Sequence, residues 1–205
     1  ANINQVTHIN VGYNNIIDLT GIEDFTDLTN LQCYDNQITN LDLSSNPLID
    51  TLVCSWNQLI SLNVANNIYL KQLACYDNQL SNLDFSNNPN LSELHCSNNQ
   101  LISLDIRNGN NIIITEFRCY NNFNLSCINV DDTAWSATNW IGYLFSFDNQ
   151  HYFSNNCSTT SIQEHTTNKE LLKVTDLLGR ETKQTNQPLF YIYDDGTVEK
   201  RITIE

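Results

Sequence analysis

A repeat of 21 residues dominates the first half of the sequence. Shifting the stretch from Leu28 to Leu48 by this interval places leucine on leucine and asparagine on asparagine three times over, and it also aligns Cys33, Cys54, Cys75 and Cys96. A unit of this length cannot bury its own apolar face, so each copy must stack on its neighbours. The sequence therefore predicts a solenoid.

Each copy contains a short strand followed by a tight turn. Period-two alternation predicts that Leu31 and Cys33 point inward, whereas Gln32 and Tyr34 point outward. An asparagine recurs three residues after the cysteine and is predicted to close the turn, as Asn36 does in this copy. Its side-chain amide both donates and accepts hydrogen bonds, so it can satisfy backbone groups of adjacent coils.

The apolar positions of the copy match a known repeat. Leu28, Leu31, Cys33, Asn36 and Ile38 fill the pattern L-x-x-L-x-L-x-x-N-x-L, with cysteine in place of one leucine. The sequence thus resembles the leucine-rich-repeat family in its short bacterial form. The resemblance implies a mainly β solenoid of the leucine-rich-repeat type, with a right-handed coil and a parallel concave sheet of about six strands.

Little helix is expected on the convex side. Leu19, Ile22 and Phe25 are spaced by three and predict one helical turn. In later coils Pro47 and Pro89 occupy the corresponding stretch and exclude a regular helix. The solenoid is predicted to cover residues 1–126 and a small β tail to follow further on.

An aromatic segment follows the repeats. Residues 127–157 hold two tryptophans, two tyrosines and three phenylalanines without a period, which predicts a cap over the end of the solenoid. A disulfide between Cys127 and Cys157 would close it. The other five cysteines occupy one core position, where cysteine packs as a small hydrophobic residue. A straight row of thiols cannot surround a metal ion, so the sequence predicts no metal site and no cofactor.

The composition changes again at residue 158, where a tail of short predicted strands begins. This tail, residues 158–205, contains Val174, Asp176, Gly179, Arg180, Gly196 and Val198. With these residues, about the last 40 to 45 residues of the chain resemble the C-terminal sorting domain that flavobacteria and other Bacteroidetes use for type IX secretion, although an upstream Asn-Pro opening is missing. The resemblance implies export by that machinery; an ordinary small β-domain with a hairpin at Asp195-Gly196 is the alternative.

Charge excludes one class of partner. The chain has a net charge of −14, and residues 1–157 carry 15 acidic against 3 basic side chains. A nucleic-acid ligand requires lysine and arginine on one face, so none is expected. No apolar run reaches the length of a membrane span, and we expect a monomer.

Outward strand positions are predicted to line the concave face. Besides the predicted site residues, they include Ser55 and Ser97. Tyrosine and tryptophan supply contact area with few rotatable bonds to freeze, although tyrosine also favours strands for structural reasons. The residues predicted to bind a ligand are Tyr34, Asp35, Trp56, Tyr76, Asp77, His95, Arg118 and Tyr120.

The two resemblances imply a secreted or cell-surface binding module that recognises a protein or a polysaccharide, and we do not expect an enzyme. The rival hypothesis is an extracellular polysaccharide hydrolase that uses Asp35 and Asp77, which lie two coils apart, or roughly 10 Å. Recurrent acidic residues such as Asp42, Asp84 and Asp105 are predicted to cap turns rather than to bind metal.

Overall fold

The structure is a computed structural model, and it describes residues 3–157, 171–175, 188–193 and 198–202. The chain divides into two compact units, residues 1–157 and residues 158–205.

The first unit is a parallel β-solenoid built from strands of two or three residues. The strands are β1 His8–Asn10, β2 Asn30–Gln32, β3 Thr51–Val53, β4 Gln72–Ala74, β5 Asn82–Asp84, β6 Glu93–His95, β7 Ser103–Asp105, β8 Glu116–Arg118, β9 Cys127–Asn129, β10 Phe145–Ser146 and β11 Tyr152–Ser154. One sheet has the order β1-β2-β3-β4-β6-β8-β10 and is the predicted concave sheet, with seven strands instead of about six. A second sheet has the order β11-β9-β7-β5.

The repeat register predicted from the sequence is confirmed. Leu31 pairs with Leu52, Leu52 with Leu73, and Leu73 with Leu94 in neighbouring parallel strands. Each of these side chains is buried. The coils therefore share one continuous apolar core, as a unit too short to fold alone requires.

Helix is scarce in the described part of the first unit, as predicted. Three 3-10 turns occur, at Ile3–Gln5, Ile22–Asp24 and Asn111–Ile113, and one α-helix, α1, spans Thr133–Asn139. The middle turn coincides with the predicted helical turn near Ile22. The second sheet was not predicted from the sequence.

Residues 127–157 continue the coil although they lack the repeat. Strand β10 pairs in parallel with β8, and β11 pairs in parallel with β9, so both sheets gain a strand. Trp140 is buried there, and its ring contacts those of Phe117 and Phe153 edge-on, each with centroids 5.3 Å apart. The aromatic residues thus close the core from within an additional coil.

A carboxylate ends the hydrogen-bond ladder of the turns. In the inner coils, two consecutive turn amides donate to carbonyl groups of the next coil, as Asp35 and Asn36 do at 3.0 and 3.1 Å. After β8 the equivalent amides of Asn121 and Asn122 donate to the two carboxylate oxygens of Asp148, each at 2.8 Å. Asp148 therefore replaces the carbonyl acceptors that a further repeat would supply.

The described ranges of the second unit form three antiparallel strands in sequential order. They are β12 Leu171–Thr175, β13 Pro188–Tyr193 and β14 Val198–Ile202. The sequence-based interpretation of Asp176, Gly179, Arg180 and the pair Asp195-Gly196 falls outside the described residues.

The seven cysteines have two different roles. A disulfide joins Cys127 and Cys157, whereas the other five are free and buried in one row on the core side of the concave sheet. Burial raises the pKa of the Cys33 thiol to about 12 and also raises the pKa of Cys75. These two thiols are therefore protonated and unreactive near neutral pH.

This difference predicts the outcome of a labelling experiment. Intact mass after treatment with an alkylating agent at pH 8 should show no label on the folded, non-reduced protein, because all five free thiols are buried. After unfolding in guanidinium without reductant, five labels should appear. Labelling of the folded protein would contradict the buried row, and seven labels without reductant would contradict the disulfide.

Candidate functional site

One asparagine per coil fixes the turn at the edge of the concave sheet. The Nδ2 of Asn57 donates to the carbonyl oxygens of Cys33 and Cys54 at 2.9 and 3.1 Å, and its Oδ1 accepts from the amide of Ile38 at 3.0 Å. The same pattern occurs at Asn36, Asn78, Asn99 and Asn122. We call these five residues the asparagine ladder. It confirms the predicted role of the recurrent asparagine.

The residue before each turn asparagine has a left-handed backbone. The φ angles are 59° at Tyr13, 53° at Asp35, 52° at Trp56, 54° at Asp77, 54° at Asn98 and 57° at Asn121. Asparagine and aspartate tolerate this region, whereas bulky side chains rarely enter it. Tyr13 and Trp56 therefore occupy a conformation that costs free energy, and the sequence pattern alone did not reveal it.

Aromatic side chains pair across neighbouring coils at this edge. Trp56 and Tyr76 contact edge-on with ring centroids 5.2 Å apart, and Tyr13 and Tyr34 do so at 5.1 Å. The Trp56 residue is 45% exposed and Tyr13 66% exposed. Two of the predicted ligand-binding residues, Trp56 and Tyr76, thus form one solvent-accessible apolar contact.

The outward row between these aromatics is not uniformly exposed. Ser55 and Ser97, which the alternation placed on the surface, are buried, so the prediction that they line the concave face is wrong. Their larger neighbours Tyr34 and Tyr76 are half-buried, and Tyr120 is exposed. A serine beside a tyrosine is covered because the ring extends well beyond the hydroxymethyl group.

A charged cluster lies near the C-terminal end of the concave sheet. An oxygen of Glu116 lies 2.7 Å from Arg118 and 2.9 Å from His95 Nε2, and Gln72 Nε2 donates to Glu93 at 2.9 Å. The sequence analysis named His95 and Arg118 but missed both glutamates. Each glutamate lies two positions before one of them in the same strand, so period two could have placed all four on one face.

The acidic residues of the solenoid accept hydrogen bonds from different kinds of group on its two sides. On the concave edge, Asp77 Oδ2 accepts from Asn98 Nδ2 at 3.2 Å. Away from the concave sheet, Asp42 and Asp84 accept from the amide two residues further on, at 2.9 and 2.8 Å, which confirms their predicted turn-capping role. The hydrogen bonds that Ser44 donates to Asp42 lower the pKa of this carboxyl group.

Other kinds of site find no support in the described ranges. They contain no group of three or more His, Cys, Asp or Glu side chains that could hold a metal ion. None of the helices described there is long and apolar enough to cross a membrane. The depressions in the surface, such as the one lined by Leu41 and Asp42, lie away from the concave sheet.

The coil geometry, the asparagine ladder and the buried cysteines define a leucine-rich-repeat-type solenoid that is mainly β. Among solved structures, the chain is similar to the functional domain of InlJ from Listeria monocytogenes, which includes a cysteine ladder; the identity is 34%, the TM-score is 0.56, and the match covers 62% of this chain and 30% of that one.

A second similar structure is an internalin, InlF, from Listeria monocytogenes, with 25% identity, a TM-score of 0.45, and coverage of 65% of this chain and 38% of that one. The chain therefore spans well under half the length of either structure. No protein-family model and no curated protein matches the chain. The structural neighbours are internalins, which are leucine-rich-repeat proteins.

The backbone at Trp56 leads to a stability prediction. Trp56→Asn should leave the free energy of unfolding unchanged within about 0.5 kcal/mol or raise it, because relief of left-handed strain, about 1 to 2 kcal/mol, offsets the lost contact with Tyr76, about 0.5 to 1.5 kcal/mol. The reverse change at the equivalent turn, Asn98→Trp, should lower stability by about 1 kcal/mol or more. Urea denaturation measures both.

Comparison of Trp56→Asn with Asn98→Trp separates a structural role of Trp56 from a functional one. If Trp56→Asn lowers the free energy of unfolding by more than about 2 kcal/mol, the tryptophan is retained for packing. The exposure and the backbone strain of Trp56 would then not indicate a role in ligand binding.

Proposed function

We propose that the chain is an extracellular binding module whose concave face docks a protein or a polysaccharide. The observation that carries the proposal is Trp56, an exposed tryptophan held in a left-handed conformation beside Tyr76. Strained backbone that the surrounding structure maintains clusters at functional sites. Aromatic residues of this kind also dominate the binding energy of many interfaces.

The rigidity of the turns supports this proposal. The ladder residue Asn57 follows Trp56 directly, and its side chain bonds to four backbone groups in its own coil and the preceding coil. A surface that is already ordered loses little conformational entropy when a ligand binds. The concave edge therefore offers preorganised aromatic contacts rather than a mobile loop.

Similarity to known proteins supports the protein-binding form of the proposal. The structural neighbours are internalins, and their repeats support a protein-binding module at a coarse level. The finer features proposed for this chain are a cell-surface or extracellular location and recognition through Tyr34, Trp56, Tyr76 and Tyr120.

A binding test uses the full chain on an array that carries both surface glycans and secreted proteins. The wild type should bind a defined set of positions on the array, and Trp56→Asn and Tyr76→Ala should each reduce that binding at least about tenfold, as hot-spot residues do. Tyr69→Asn is the matched control, because Tyr69 is an exposed aromatic residue outside the concave sheet. Unchanged binding by both concave variants would move the site to another surface.

We also propose that residues 158–205 direct export through the type IX machinery. The resemblance at Val174, Gly179 and Gly196, together with a separate compact unit starting at residue 158, supports this role. In a type IX-competent host, deletion of residues 159–205 should retain the protein inside the cell. Circular dichroism should show that the solenoid stays folded, because the disulfide at Cys157 precedes the deletion. Appearance of the truncated chain in the medium would exclude this role.

A further inference from the structure

One outward row of the concave face, at the position after the cysteine, repeats every second coil rather than every coil. The sequence CYDNQ begins at Cys33 and again at Cys75, and CYNN begins at Cys119. In the coils between them, the position of the tyrosine is taken by Ser55 and Ser97. Large and small residues therefore alternate across strands β2, β3, β4, β6 and β8.

Packing explains why the tyrosines occupy alternate coils. A Cβ added to Gly12 would lie 2.7 Å from the ring of Tyr34, so this tyrosine covers the glycine of the preceding coil. Ser55 and Ser97 are buried in the same row. A larger residue at position 12 would have to displace the ring of Tyr34, so packing favours a small residue beside the tyrosine there.

The result is a row of three similar steps along the solenoid axis, which we call the tyrosine steps. They are Tyr34 with Asp35, Tyr76 with Asp77, and Tyr120 with Asn121. Each step combines an aromatic ring with a side-chain oxygen that accepts hydrogen bonds. Strands lie about 4.8 Å apart, so successive steps are separated by about 10 Å.

Charge restricts what the steps can bind. The three basic side chains of residues 1–157 are each paired with a carboxylate: Lys71 with Asp50 at 3.4 Å, Arg118 with Glu116 at 2.7 Å, and Arg107 with Asp105. The steps themselves hold two carboxylates and no cation. A polyanion would find repulsion rather than counter-charges along this row.

We propose, on the basis of the binding function above, that the tyrosine steps hold a linear polysaccharide that is uncharged or cationic and lies along the solenoid axis. A ligand that meets similar groups at equal intervals must itself be periodic. An extended chain of equatorially linked sugars presents apolar ring faces to aromatic side chains and hydroxyl groups to carboxylate or amide oxygens. One step corresponds to about two sugar units at a spacing of about 10 Å.

Ligand length tests the periodicity directly. Isothermal titration calorimetry of the full chain uses cello-, manno- and chitosan oligosaccharides of two, four and six units. For at least one series, each added pair of units should raise the affinity about 2- to 10-fold, the contribution of one aromatic contact, until three steps are filled. Polygalacturonate oligosaccharides of the same lengths should bind at least about tenfold more weakly.

Substitutions test the assignment to the three tyrosines. Tyr34→Ser, Tyr76→Ser and Tyr120→Ser should each reduce the affinity for the six-unit ligand by a similar factor and leave that for the two-unit ligand less affected, since two steps remain. Tyr76→Phe, which keeps the ring, should retain binding, and Tyr69→Ser is the control away from the face. Thermal unfolding verifies that each variant is folded.

The outcomes separate this inference from the proposed function. Equal affinity for two and six units, tighter binding of the polyanion, or no binding of any oligosaccharide would overturn the polysaccharide assignment. If a protein on the array is still bound and is lost in Trp56→Asn, the binding function stands without the glycan. If the chain binds neither glycans nor proteins, both proposals fail.

Discussion

The carboxamide of one asparagine per coil is the interaction on which the rest of the solenoid depends. Asn78 donates to the carbonyl oxygens of Cys54 and Cys75, both at 3.1 Å, and accepts from the amide of Leu59 at 3.0 Å. The chain reverses direction inside the protein here, so these backbone groups have no water to bond to. Leaving one of them unpaired costs about 1 to 3 kcal/mol. The carbonyl oxygens of Cys54 and Cys75 also accept from Asn57 and Asn99, so successive asparagines of the ladder share these acceptors and hold adjacent coils together.

The proposed function follows from that constraint. Because the ladder holds the turn, the preceding residue keeps its left-handed backbone whatever its side chain is, and Trp56 occupies the same φ as Asn98 within 2°. The solenoid can therefore vary this position without losing its fold. Two of these turn positions hold Tyr13 and Trp56, and two others hold Asp35 and Asp77. Together, these side chains form a contact surface along the edge of the sheet.

The sequence predicted the elements that repeat and missed those that depend on neighbours. The spacing of leucine, cysteine and asparagine was sufficient to predict the strand register, the buried thiols and the asparagine ladder. Each of these features is set by one residue type at a fixed interval. The burial of Ser55 was missed because it depends on the size of side chains in adjacent coils. The strands in residues 127–157 were missed because backbone hydrogen bonds there continue without the repeated residues, with Asp148 supplying the final acceptors.

The energetic role of the ladder can be measured most directly at Asn78. Asn78→Ala should lower the free energy of unfolding by about 1 to 3 kcal/mol, because the buried amide of Leu59 loses its acceptor, whereas the carbonyl oxygens of Cys54 and Cys75 still accept from Asn57 and Asn99. Gln79→Ala is the matched control, since Gln79 is the exposed neighbour and its loss should cost less than about 0.5 kcal/mol. Equal and small losses in the two variants, measured by urea denaturation, would show that the coils close without the ladder and would contradict the account.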